Sequence, residues 1–71
     1  MNVYVLTMTN EDFETSTVGC YSTENKAKTD ACKRYGDMDL SEWRKYSTTT
    51  IIADVWAING TLTITRCTLD T

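Results

Sequence analysis

The chain contains no histidine and no proline, only three glycines and a single phenylalanine. Each shortage closes something off. Without histidine the commonest general base is missing, as is the usual partner of a cysteine nucleophile. Without proline there is no Pro-rich linker or ligand segment. Gly19, Gly36 and Gly60 stand alone, so no glycine-rich loop can cradle a phosphate. Three cysteines, Cys20, Cys32 and Cys67, are an odd and widely spaced set, a poor disulfide framework. With no Cys-x-x-Cys pair and no histidine they do not make a zinc site, so they are expected to be reduced thiols packed as small hydrophobes, and neither a metal nor a cofactor is expected. Basic residues are few, seven against ten acidic, for a formal charge of −3. That makes the electrostatic drive for nucleic-acid binding weak, and it is too little negative charge for DNA mimicry except locally at residues 10–14. No apolar run is long enough to cross a membrane.

What is present suits one small soluble domain spanning residues 1–71. A domain of this size buries only about 60% of its unfolded surface and is marginally stable. The start, Met1-Asn2-Val3-Tyr4, has no basic region, and Thr7, Thr9 and Asn10 break the apolar run that follows. No signal peptide and a cytoplasmic location are therefore expected. Asn59-Gly60-Thr61 matches a glycosylation sequon but reads as a turn.

Residues 2–9, NVYVLTMT, are β-branched and aromatic and predict a strand. Asn10 to Glu14 form an acidic turn, and residues 15–21, TSTVGCY, predict an antiparallel partner strand with a bulge or close approach at Gly19. Ser22 or Thr23 can cap a helix over residues 23–35, with Glu24 in its first turn, Ala27, Ala31 and Tyr35 along one narrow face, and Gly36 as its stop. An alanine face implies close packing on a sheet. Asp39 and Glu42 have capping-box spacing, and Leu40 and Trp43 are three apart, which predicts a short second helical turn.

The last third, TTTIIADVWAI, then Asn59-Gly60, then TLTITRCTL, carries the strongest short-range hairpin signal. A two-residue type I′ turn pairs Ile58 with Thr61, Trp56 with Thr63, Ala53 with Arg66 and Ile52 with Cys67. Ile51, Ala53, Val55, Ala57, Leu62 and Ile64 then share the core face. Ile52, Trp56 and Ile58 fall on the other face among threonines. The expected architecture is α+β, ββα(α)ββ: an antiparallel sheet with one main helix packed on one face.

Such a sheet leaves one face open. Ile52, Trp56, Ile58 and Thr63 on that face, and the acidic Glu11, Asp12 and Glu14, are the candidate partner-binding residues, with self-association into a homodimer as an alternative. The competing reading is that Phe13 or Trp43 covers the face. The carboxylates cluster in loops, no catalytic residue stands out, and no enzyme activity is expected. Six of the seven basic residues lie between Lys26 and Lys45, and Trp43, Arg44 and Lys45 could form a nucleic-acid stacking patch. Against this, Glu24 with Lys28 and Asp30 with Arg34 have the spacing that neutralises charge along a helix. Asp54 is expected to face water or pair with a neighbour.

Val3-Tyr4-Val5-Leu6-Thr7 and Val18-Gly19-Cys20-Tyr21-Ser22-Thr23, followed by Lys26-Ala27, resemble a pattern in short, uncharacterised phage and prophage proteins. There a hairpin leads through an aromatic-Ser-Thr/Ser cap into a helix containing Lys-Ala. The resemblance covers roughly the first half and carries over no site residue. It implies a small phage-encoded accessory protein acting in the host cytoplasm. Proteins of that kind commonly bind and block a host protein, such as a polymerase, a defence nuclease or a CRISPR effector.

Overall fold

The computed structural model describes residues 1–36 and 40–68, apart from the side chain of Ala57. It is an α+β fold: a five-stranded antiparallel sheet with one helix packed on it. The strands are β1 (Asn2–Thr9), β2 (Thr15–Tyr21), β3 (Arg44–Lys45), β4 (Thr50–Val55) and β5 (Gly60–Thr68), ordered β2-β1-β5-β4-β3 across the sheet. The helix α1 (Glu24–Tyr35) follows β2 and lies over β1, β2 and β5.

The first half forms where its residues predict. β1 and β2 have the expected bounds, with the register shift of a β-bulge between Leu6 and Thr7 and Val18 as the extra residue. Gly19 is needed beside it, because a Cβ there would sit 2.7 Å from the Tyr21 hydroxyl, which folds back across the strand. Of the two capping candidates Thr23 serves: its hydroxyl accepts from the Lys26 amide at 3.1 Å, while the Ser22 hydroxyl accepts from the Lys26 ammonium. Gly36 ends the helix at φ 82°, a left-handed conformation that glycine adopts without strain, and its amide donates to the Cys32 carbonyl.

The core lies between this helix and one sheet face. Leu6, Ala53, Val55, Leu62 and Ile64 are fully buried from the sheet, and Ala27 and Ala31 from the helix. The alanines let the helix approach closely, so the core is thin and its energy rests on a few aliphatic side chains. Tyr4, Met8, Val18, Tyr21, Tyr35 and Leu40 pack around it.

Two expectations fail. No helical turn forms over Leu40–Trp43. Leu40 instead bridges Val55, the Ser41 amide donates to the Asp54 carbonyl at 2.9 Å, and the Ser41 hydroxyl accepts from the Asp54 amide at 2.8 Å. Arg44 and Lys45 then pair with Ile52 and Ile51 as an edge strand. An isolated helical turn is marginal, whereas the backbone groups of β4 need partners, so strand pairing wins. Asp39, half of the suggested capping box, lies outside the described residues.

The second correction is the last hairpin. Asn59-Gly60 is not a two-residue type I′ turn. Trp56–Ile58 form a single 3-10 turn, Asn59 adopts the left-handed conformation at φ 50°, and Gly60 already belongs to β5 opposite Val55. The connection is therefore four residues long, a common hairpin length. Asparagine tolerates left-handed backbone in either turn, so its presence did not distinguish them. Every partner moves by four positions: Ala53 pairs with Leu62 instead of Arg66, and Ile52 with Thr63 instead of Cys67. Four is even, so the inward and outward faces survive the slip. Ile51, Ala53, Val55, Leu62 and Ile64 lie on the core face as expected. Trp56 and Ile58 do not lie on the sheet at all.

Candidate functional site

The pairing fixes what lies at each end of the sheet. Thr9 pairs with both Thr15 and Thr61, and Val55 pairs with Gly60. The 10–14 loop and the 56–59 turn therefore project from the same end, side by side, because β1 and β5 are neighbours. Their centres are about 10 Å apart, two strand spacings.

The 10–14 loop is held by one residue. The Asn10 side-chain oxygen accepts from the Asp12 amide at 2.9 Å and the Glu14 amide at 3.0 Å. The Asn10 amide donates to the Glu14 carbonyl, and the Asn10 carbonyl accepts from the Phe13 amide. This network holds Phe13 at φ 63°, a left-handed conformation that is unfavourable for a bulky side chain. Phe13 gains no burial in return, being 88% exposed. Glu11, Asp12 and Glu14 surround it and are exposed as well. On the adjoining turn Trp56 is 63% and Ile58 42% exposed. A hollow of about 260 Å³ lies beside Trp56, lined by Asp54, Val55, Asn59, Gly60 and Thr61. Of the five exposed large hydrophobic residues among those described, three are at this end. Strained backbone and unburied aromatics coinciding in one place mark a functional site more often than a structural one.

The candidate residues thus separate into two places. Glu11, Asp12, Glu14, Trp56 and Ile58 come together at the loop end. Ile52 and Thr63 pair with each other on the open sheet face, where Val5, Thr7, Thr50 and Thr65 share their surroundings. Phe13 does not cover this face, since it stands at the loop tip, and Trp43 packs against the core. Asp54 has the neighbour expected of it, with Arg44 Nη2 3.2 Å from its carboxylate.

Trp43, Arg44 and Lys45 do not form one patch. Trp43 packs on the core, Arg44 is held by Asp54, and Lys45 follows Arg44 on the alternate side of the strand. The helix charges pair as their spacing predicts, Lys28 with Glu24 at 3.4 Å and Arg34 with Asp30 at 2.8 Å. The Tyr21 hydroxyl also donates to Asp30, tying β2 to the helix. The hydrogen bonds from Tyr21 and Arg34 hold the Asp30 carboxyl below its ordinary range. Desolvation, then the hydrogen bond to Asp30 and the charge of that carboxylate, raises the Tyr21 phenol. Each group is satisfied by the others, which makes the cluster a tether and not a reactive centre.

Among the described residues no three of the Cys, Asp and Glu side chains converge as metal ligands, and no helix is long and apolar enough to cross a membrane. Cys20 is exposed on the edge strand, so it is not the packed thiol expected; Cys32 and Cys67 are half-buried.

Phe13 and Asn10 are what sequence reasoning missed at this site. Both had signals: an aromatic set among three carboxylates in a turn, and an asparagine at the first loop position, where its side chain can bond to amides further on. Compared with known family models, curated proteins and solved structures, the chain matches none.

Proposed function

We propose that the protein is a non-enzymatic binding module that docks on another protein through its loop end. The observation that carries this reading is Phe13, 88% exposed and held at φ 63° by Asn10. A loop with no task would relax or carry glycine at that position. Phe13, Trp56 and Ile58 supply the apolar anchors, and Glu11, Asp12 and Glu14 an acidic rim. Aromatic side chains of this kind dominate binding energy at protein interfaces, and flanking charges steer the encounter. The complementary partner presents an apolar socket ringed by lysine or arginine. The resemblance to phage accessory proteins points to a host protein in the host cytoplasm, inhibited by occupancy of its surface; defence machinery such as a CRISPR effector is the sharper expectation within that class.

The test compares the tagged protein with the variant Phe13→Ala/Trp56→Ala/Ile58→Ser on bacterial host lysate. The expected result is one large protein held in fixed stoichiometry by the natural sequence and lost with the variant, whose circular dichroism stays folded. Equal retention by both would remove the loop end from the interface. Light scattering on the purified chain reads the alternative: a homodimer that persists in the variant would shift the interface to the open sheet face around Ile52 and Thr63.

A further inference from the structure

The opposite end of the sheet is built differently. There Tyr4 and Arg66 are direct cross-strand partners, and Ile64, Ile51 and Lys45 form the next row across β5, β4 and β3. Strand alternation puts all five on the helix side of the sheet, the side of Leu62 and Ile64. The helix packs mainly on β1, β2 and β5, and beyond it this face opens into a groove of about 300 Å³. The floor is Tyr4, Ile51 and Ile64, and one wall is the turn leading into β4, where Ser47, Thr48 and Thr49 line the groove while the Thr50 side chain alternates to the open face. That turn is fixed: the Thr49 carbonyl accepts from the Arg66 amide at 2.7 Å, and the Ser47 and Tyr46 amides donate to the Thr50 carbonyl.

The charges decide what this groove suits. Two cations stand at core-side register positions, Arg66 and Lys45, and neither has an acidic partner among the described residues. The groove's carboxylate, Glu24, is taken by Lys28. From the strand spacings the Arg66 and Lys45 backbones are about 12 Å apart, close enough for both long side chains to reach one bound anion. Arginine offers a planar fork matched to phosphate oxygens, lysine a mobile point charge, and the hydroxyls further donors. Tyr4, beside Arg66, gives an aromatic wall for a flat ring.

We infer that this groove binds a small organic phosphate of nucleoside monophosphate size, the phosphate between Arg66 and Lys45 and the base against Tyr4. The volume is at the low end for small-molecule sites, about 300–1,000 Å³, which excludes a dinucleotide. The site is separate from the docking end and stands whether or not that reading holds.

The test is amide chemical-shift titration of the full chain with adenosine monophosphate, and in parallel with inorganic phosphate and with adenosine. Saturable shifts confined to residues 4, 45, 47–51 and 64–66 are expected with the monophosphate, the same residues moving about tenfold more weakly with phosphate alone. Lys45→Ala/Arg66→Ala should weaken the monophosphate at least tenfold, and Tyr4→Leu should weaken the monophosphate while leaving phosphate unchanged. The two cations are exposed, so their removal keeps the fold, and the spectra of the variants report it directly. Were Tyr4→Leu to unfold the chain, the adenosine and phosphate arms would still separate base from phosphate recognition. Absence of saturable shifts up to 10 mM, or equal shifts in the cation variant, would overturn the proposal.

Discussion

The centre of the sheet and its loop end follow opposite rules. At the centre the apolar side chains are covered: Leu6, Leu62, Ile64 and Val55 cluster with Ala27 and Ala31, Ala53 is fully buried, and no buried side-chain polar atom lacks a partner among the described residues. At the loop end Phe13, Trp56 and Ile58 stand in solvent, and two non-glycine residues, Phe13 and Asn59, hold left-handed backbone. The centre is arranged for stability, and the loop end gives some of that stability up. In a domain with so small a core, such a concession argues that the loop end is used. It also means that substitutions in the two regions should have different signatures: loss of folding from the centre, and loss of docking with folding intact or improved from the loops.

The largest effect belongs to the centre. Leu62→Ala removes a fully buried side chain, and truncations of this kind cost about 2–5 kcal/mol. A core of this size supplies little more than that in net stability, so urea unfolding should find the variant largely unfolded at room temperature. A cost below about 1 kcal/mol would mean that the centre is not where stability resides. The loop end comes next. Asn10→Ala loses both acceptor bonds to the Asp12 and Glu14 amides and should cost about 1 kcal/mol, with Asn10→Asp retaining them. Phe13→Gly should go the other way. Relief of left-handed strain raises stability by up to about 1 kcal/mol, or a rise in melting temperature of several degrees, while partner binding is lost. A destabilised Phe13→Gly would show that the phenyl ring packs usefully in the free protein and would break the comparison.

The tether between β2 and the helix gives a pH signature. Because Asp30 is held below its ordinary pKa of 3.8, its stabilising contribution is complete above that value and is lost as pH falls through and below it. Tyr21 is raised above 10.0, so its contribution is complete below pH 10 and is lost as pH rises through the higher folded value. Melting temperature measured from pH 2 to 11 should fall on both sides. Asp30→Asn should flatten the acid side, and Tyr21→Phe the alkaline side. If neither limb changes, the tether contributes nothing to folding.

Much of the scaffold was readable in the sequence because its determinants are local. Runs of β-branched residues, the Thr23 cap, the alanine spacing and the Gly36 stop each act within a few positions. The core face was also readable, because a period of two survives an even register slip. The register itself was not, since Asn59 suits a four-residue turn as well as a two-residue one. Nor was β3, because Arg44 and Lys45 become a strand only when the edge of β4 offers unpaired backbone groups. The loop end was half-readable. The acidic loop and Trp56 could each be singled out, but their convergence depends on β1 lying beside β5, which no local signal encodes. Sequence alone offers Phe13 only as a hydrophobe to cover the open face; its exposure follows from the hydrogen bonds of Asn10, three residues away.

The smallest expected effect falls on the boundary between the two regions. Arg44 and Asp54 form an ion pair on the open face, both about half exposed, and Asp54 also borders the hollow beside Trp56. Solvent screening reduces the worth of such a pair to about 0.2–1 kcal/mol, which a double-mutant cycle of Arg44→Ala and Asp54→Ala should recover from urea midpoints. The same carboxylate, if the docking surface reaches it, adds to the acidic rim offered to a basic partner. Asp54→Asn should then leave melting almost unchanged and slow association, with a difference that vanishes at high salt. Arg44→Gln, which frees Asp54 from its pair, should speed association under the same conditions. Equal association rates for both variants and the natural sequence would confine the interface to the loops around Phe13 and Trp56, and would detach the open sheet face from docking altogether.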